Sequence, residues 1–468
     1  MNLGKFPIRI WDEARNAVNA FEMLYNGDYL IPRFNGDPDM WNTKPPFLIW
    51  FQVIFMKILG PTEIAIRLPS AIAGLLTCFT LVFFSEKYLK NYWFGIIAAI
   101  LLVTFNGYVD GHSTRTGDYD AMLTFLLTGG ALLFFLSVED YKNKYLYLFF
   151  LFMSMAVLTK GVAALLFLPA LGIYALIRRK IIFFLKNRHF YFGLLLFIFI
   201  SLGYYFLREA FNPGYLEKVQ FNELGGRYLE TKHGHDFEFW FYLKRMVKYQ
   251  LKSWFFLVPI GILIGMFSAN QKLKFLTLYS TLLFSVHFIV ISYAKSKFQW
   301  YNIPEFPFLA IIIAMVIFII FENLRQQNLK AGIPKLLPYL FLVVVFWLPY
   351  KGMAKKVIES KEFRKNEVKY EIGYYLQNAV KGKEDVDGYK LLYHGYSTQN
   401  LYYLKVLQKK GVRIGFKNWK NLDPGNRVIA HQQYIKSCLE EYYDYRVIDK
   451  KGNVVKYEIY GKRNLPEN

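Results

Sequence analysis

Asp12 and Arg15 stand one helical turn apart in the stretch Trp11-Asp12-Glu13-Ala14-Arg15, and Lys44 follows in a Lys44-Pro45-Pro46 corner. A carboxylate can take a proton from a hydroxyl, and cations can carry the charge of a departing phosphate. The competing local reading makes Asp12 an N-cap and Glu13 a first-turn partner of the helix dipole. A second polar cluster spans residues 111–122 and places Asp118 and Asp120 where an apolar run begins. An acid at the end of a membrane span is either solvated or functional. A third runs from Asn222 through Glu223 and Arg227 to His233 and His235. Two histidines separated by one residue do not by themselves make a metal site, so no metal is assigned. A fourth, 295–304, carries Lys295, Lys297, Trp300 and Tyr301, types that also anchor helices at membrane interfaces. Taken together, the clusters point to an enzyme of lipid-linked phosphates. Asp12 is the candidate base, with Glu13 and Asp120 as further catalytic candidates. Arg15, Lys44, Arg227 and Lys297 are candidate phosphate ligands, and His233 and His235 candidate substrate contacts. No cofactor is required, although a divalent metal is compatible with the pattern.

These residues must be positioned by the elements around them. Ala14, Val18, Phe21 and Tyr25 recur at helical spacing, and Asp12, Arg15, Asn16, Asn19, Glu22 and Asn26 recur opposite them. That pattern predicts an amphipathic helix in the membrane interface with its polar side toward water. Beyond residue 50 the chain is dominated by apolar runs. With 54% hydrophobic residues, 45 Phe and 36 Tyr in 468 residues, it reads as a polytopic membrane protein. The net charge of +22 then belongs to cytoplasmic loops rather than to a nucleic-acid surface. Cys78 lies in an apolar run and Cys438 in the polar tail, so they are not expected to pair.

Segment 46–60 is short for a span and reads as re-entrant or interfacial. Spans are expected at 67–85, 93–109, 119–138, 145–158, 162–177, 190–207, 254–268, 273–294, 303–321 and 336–350. With residues 10–50 outside and 46–60 not crossing, loops 86–92, 139–144, 178–189, 269–272 and 322–335 fall inside. All of them carry Lys or Arg, densest at Arg178-Arg179-Lys180. Loops 110–118, 208–252 and 295–302 then fall outside, as the positive-inside rule requires. Every polar cluster lies on that outer face. An outer Asp12 helix also needs a segment to carry it across, which predicts a hydrophobic span of roughly 20 residues ahead of residue 1.

The tail from about residue 351 is polar. Strands are predicted at 390–394, 412–416 and 427–430, helices at 398–409 and 434–443, and a hairpin turning at Lys451-Gly452-Asn453. The fold class is therefore a polytopic α-helical membrane domain, 1–350 with an outer loop over 1–66, followed by a small extracytoplasmic α/β domain, 351–468.

The order of motifs resembles the GT-C glycosyltransferases. Trp11-Asp12-Glu13-Ala14-Arg15, Glu22-Met23, Gly27-Asp28, Lys44-Pro45-Pro46 and Arg67-Leu68-Pro69-Ser70 are similar to the first outer loop of the lipid A aminoarabinose transferase and protein O-mannosyltransferase group. Leu158-Thr159-Lys160-Gly161 and the 296–304 segment resemble it too, so the likeness runs from about Trp11 to Phe321. It implies a GT-C fold, an inverting mechanism and a polyprenyl-phosphate sugar donor. It also implies Asp12 as base, Lys44 and Arg15 as donor-phosphate ligands, and Asp120 as a functional acid. The aminoarabinose branch carries a glutamate just before the lysine of its Lys-Pro motif, where this chain has Thr43. That departure argues against carrying over a metal site or aminoarabinose as the sugar.

The expectation is an integral-membrane glycosyltransferase of the bacterial cell membrane, acting on a lipid, glycan or protein acceptor at the periplasmic or outer face. Lipopolysaccharide modification and protein mannosylation are the processes it resembles. A flippase or transporter of lipid-linked saccharides is the first alternative, but no inverted repeat is visible. A polymerase or ligase is the second, and the early Asp-Glu and Lys-Pro-Pro pair argues against it.

Overall fold

A computed structural model describes residues 2–109, 111–225, 237–328, 335–359 and 367–463. Seven helical stretches are long and apolar enough to cross a membrane: Glu63–Leu89, Asp120–Asp140, Asn143–Ile177, Arg188–Phe211, Gln271–Tyr293, Ile303–Gln327 and Leu337–Ile358. Phe47–Leu59, Tyr92–Thr104 and Lys252–Met266 are shorter apolar helices. The chain is a multi-pass membrane protein.

The expected span at 93–109 is shorter than its apolar run. Its helix ends at Thr104, Phe105 is extended, and a short helix follows at Asn106–Val109. The break lets Gly107 pack against the Phe306 ring and the Tyr108 hydroxyl reach the Gly74 carbonyl at 3.2 Å. The stretch Asn143–Ile177, in contrast, makes two passes. Its α-helix stops at Lys160, Gly161 takes φ +55°, and a 3-10 segment leads into Leu168–Ile177. Lys160 meets Asp120 at one end of the Asp120–Asp140 helix (2.5 Å), while Arg178 meets Glu139 near its other end (2.8 Å). The next helix returns again. Asn187 and His189 contact Asn143 and Tyr147 at the Glu139 end, and Arg208 contacts the Asp39 carbonyl at the Asp120 end. The charged contacts thus sort into two faces, as the loop charges predict.

The C-terminal region forms a five-stranded mixed sheet. Its strand order is Gly415–Lys417, Tyr389–Leu392, Arg427–Ala430, Val454–Lys462, Tyr443–Lys451. The first three strands are parallel; helix Thr398–Lys409 leads from Tyr389–Leu392 to Gly415–Lys417, and helix Gln433–Tyr442 leads from Arg427–Ala430 into the antiparallel hairpin formed by the last two. Tyr402, Leu404, Val406 and Leu407 are buried, and one apolar core runs from this domain into the Asp12–Asn26 helix and helix Phe47–Leu59. Sheet domain and first loop are therefore one packed unit on one face. A helix over Glu367–Val380, not foreseen from the sequence, completes that packing.

Candidate active site

The Asp12–Asn26 helix does not present its polar side to water. Asn16, Asn19 and Glu22 are all buried. Each pays the cost of burial with hydrogen bonds, as polar groups must. Asn16 donates to the Gly117 carbonyl (3.1 Å) and Asn19 to the Arg33 carbonyl (2.7 Å) and Asp39 (2.9 Å). Glu22 accepts from the Asn35 and Gly36 amides and pairs with Lys405 of the C-terminal domain. The amphipathic pattern was real, but the polar stripe faces a folded loop and a second domain.

Asp12 is the first helical residue, not the cap. Trp11 occupies the N-cap with φ +76° and no side-chain capping bond. Asp12 remains exposed. Glu13, one residue on, is buried. Its two oxygens accept from Arg67 Nε (2.5 Å) and Nη2 (3.1 Å), from the Arg9 amide (2.8 Å) and from the Gly117 amide (3.1 Å). Arg67 also donates to the carbonyls of Leu3, Phe6 and Pro7. Burial raises Glu13's affinity for a proton, yet the adjoining Arg67 guanidinium outweighs it and holds the carboxyl below its ordinary 4.5. With its lone pairs so engaged, Glu13 fixes the backbone around Asp12.

Arg15 closes a bidentate fork on Asp39, with contacts of 2.8 and 2.6 Å, and stacks over Phe34. Its geometry is that of a brace for the 28–44 loop, so the structure commits it to Asp39 before any phosphate. The same loop is pinned from the membrane domain: Arg208, fully buried, donates to the Asp39 carbonyl (2.8 Å), and Tyr215 donates to the Thr43 carbonyl (2.7 Å). These bonds set where Lys44 sits.

Around Asp12 the chain gathers His112 and Asp118. The three residues each offer a ligand atom within 4.8 Å of the others. His112 Nδ1 lies 3.3 Å from Asp118 Oδ2, and its ring stacks on Trp300 at 3.7 Å. Asp118 Oδ1 is buried without a hydrogen-bond partner among the described residues. Burial, with the charges of Asp12 and Glu13, pushes the Asp118 carboxyl up to about 6, against the pull of His112. One imidazole and two carboxylates at this spacing could hold a divalent cation.

A second cluster gathers around Lys44, which stands over the Tyr119 ring, and around Asp120. Lys160 bonds Asp120, Lys44 stands 3.8 Å from Glu223, and Glu223 also accepts from Thr43 Oγ1 (3.1 Å). Thr43 thus brings a carboxylate from a distant segment to the side of Lys44, the place where the resembled branch carries its own glutamate. Asp120, Lys160, Glu223, His287, Ser296 and Tyr301 line a small cavity of about 50 Å³. Lys297, buried nearby in sequence, donates to the Phe237 carbonyl (2.8 Å).

The structure therefore brings Asp12, Asp120 and Lys44 onto one face with Asp118 and Lys160, and gives Glu13 and Arg15 to the framework. Arg227, His233 and His235 lie outside the described residues. Asp39, His112, Lys160, Arg208 and Glu223 were not singled out from the sequence. His112, Lys160 and Glu223 do sit inside motifs already noted, whereas Asp39 and Arg208 carry no local signal.

The family described as dolichyl-phosphate-mannose-protein mannosyltransferase matches residues 43–205. An undecaprenyl phosphate-alpha-4-amino-4-deoxy-L-arabinose arabinosyl transferase of Shewanella sediminis is 27% identical over 366 residues, 75% of this chain. This chain spans 63% of that relative's length. An uncharacterized protein of Aquifex aeolicus is 25% identical over 91% of this chain and 93% of its own. The crystal structure of ArnT from Cupriavidus metallidurans bound to undecaprenyl phosphate superposes with a TM-score of 0.67 at 16% identity, covering 97% of this chain and 94% of that one. The chain has the GT-C glycosyltransferase fold and is similar to the aminoarabinose transferase group in both sequence and architecture.

Proposed function

We propose that this protein transfers a sugar from a polyprenyl-phosphate donor to a hydroxyl of a lipid, glycan or protein acceptor, at the face that carries the first loop and the C-terminal domain. The observation that carries the reading is a division of charge: the Asp12 carboxylate is exposed at the start of the first helix, whereas Lys44 and Lys160 are buried, Lys44 over the Tyr119 ring and Lys160 on Asp120. A glycosyl phosphate is already activated, so the protein must supply a base for the incoming hydroxyl and positive charge for the leaving phosphate. Asp12 takes the proton, and Lys44, Lys160 and Lys297 receive the lipid phosphate. Asp120 holds Lys160 in place. The names of the arabinosyl transferase relative and of the ArnT complex, both with undecaprenyl phosphate, support this donor class. The C-terminal sheet and first loop face the periplasm or cell exterior on the charge distribution of the loops.

Asp12→Asn keeps the shape of the side chain and removes the base. In purified protein given a polyprenyl-phosphate sugar, it is expected to lower turnover roughly 100-fold or more while donor binding is largely kept. Wild-type turnover in that variant would move the base to Asp120. A second reading, favoured by the grouping of Asp12, His112 and Asp118, gives these residues a divalent cation. In the first reading turnover persists in chelator, and in the second it is lost and returns with added Mn²⁺ or Zn²⁺.

A further inference from the structure

Tyr396, on the loop that leads from strand Tyr389–Leu392 into helix Thr398–Lys409, reaches back across the domain boundary to the start of the Asp12–Asn26 helix. Its ring stacks on Trp11 at 4.5 Å with an interplanar angle of 12°. It also lies near enough to the Arg15 guanidinium to interact with its charge, and Arg15 in turn holds Asp39. Gly395, with φ +86°, lets the loop turn there. Trp11 itself has φ +76° and ψ −126°, a conformation that a residue with a Cβ adopts at a cost and keeps only where its surroundings impose it. Asp12 is its next neighbour, and the Arg15 amide bonds the Trp11 carbonyl at 3.0 Å. Around this contact the two regions are bolted together: the Ile8 amide donates to Tyr403 (2.9 Å), Tyr403 donates to Glu63 (2.6 Å), and Lys405 pairs with Glu22 (2.9 Å).

We propose that Tyr396 of the C-terminal domain is a positioning residue of the candidate active site, holding Trp11 in its strained conformation and Arg15 on Asp39, and so aiming the Asp12 carboxylate. The domain is then part of the catalytic apparatus rather than an appendage. The assignment rests on Asp12 as the base, so its test uses two readouts, one of which is independent of activity. Backbone hydrogen exchange over residues 9–16 of the full chain reports the clamp directly. Tyr396→Ala is expected to speed exchange there about tenfold or more, with the unfolding temperature of the whole protein little changed. Tyr396→Phe, which keeps the stack, restores most of the protection.

In the transfer assay, Tyr396→Ala is expected to lower kcat about tenfold or more, as misplacement of a reacting group does, with a smaller change in donor KM. Tyr396→Phe recovers most of that kcat. A merely structural role would move the unfolding temperature and leave kcat per folded molecule intact. Should Tyr396→Ala not accumulate, Trp11→Leu removes the same stack from the other side and is read in the same way. Wild-type exchange in the folded Ala variant overturns the clamp, and faster exchange with unchanged kcat overturns its link to Asp12. Faster exchange in a protein whose wild type transfers no sugar leaves the clamp standing and sinks the transferase reading instead.

Discussion

At the residue scale, the chain separates a reactive carboxylate from a structural one at adjacent positions. Asp12 points outward from the first turn, while Glu13 turns inward and meets Arg67. A buried pair that loses one partner leaves a charge stranded, at a cost of roughly 3–5 kcal/mol. Glu13→Gln therefore lowers the unfolding temperature at neutral pH, because Arg67 stays buried and charged. The pH dependence has a definite sign. Glu13 lies below its ordinary 4.5 in the folded protein, so the stability it contributes is present above about that pH and is lost as pH falls through the lower folded value. The variant is thus expected to lose less stability than the wild type as pH falls below about 4.5. Equal acid slopes in thermal unfolding of the two proteins would refute the assignment.

At the element scale, several helices meet at glycines. A Cβ at Gly261 would sit 2.2 Å from the Ile312 carbonyl oxygen, so helices Leu257–Met266 and Phe306–Asn328 touch backbone to backbone there. Gly172, on helix Leu168–Ile177, has open space at the same point. Overpacking of a tight contact costs roughly 1–3 kcal/mol. Gly261→Ala is expected to lower the unfolding temperature of purified protein, and Gly172→Ala to leave it unchanged or raise it slightly. An equal response at both positions would show that the close approach is not what sets stability. The same reasoning explains why the apolar run 93–109 forms a shorter helix than expected. Hydrophobicity marks what is buried, but the end of a helix is set by local contacts such as Gly107 on Phe306.

At the scale of the whole molecule, the charge bias of the loops and the pairing of helix ends agree on two faces. Lys420 of the sheet domain and Arg179 of the basic loop are placed on opposite sides. Single cysteines at 420 and 179, in a background lacking Cys78 and Cys438, are expected to label differently with an impermeant thiol reagent on intact cells, 420 reacting and 179 not. Labelling of 179 from outside would invert the topology.

The sequence by itself determined most of the spans, the two faces, the strand order's ingredients in the C-terminal domain and the GT-C resemblance. Hydrophobic run length, the Lys and Arg bias and turn residues such as Lys451-Gly452-Asn453 are local signals, read within a few residues of where they act. Helix Thr398–Lys409 and strand Arg427–Ala430 have the bounds that were expected of them. The site was only partly legible. Asp12, Lys44 and Asp120 stand in recognisable motifs, but nothing local says that Arg15 closes on Asp39, that Arg208 pins the loop from a distant helix, or that Glu223 comes to rest beside Thr43. Nor could spacing show that the polar stripe of the first helix faces protein instead of water. Those facts depend on which buried donors find which acceptors, over separations from 24 residues for Arg15 and Asp39 to 180 for Thr43 and Glu223, and only the folded chain decides that.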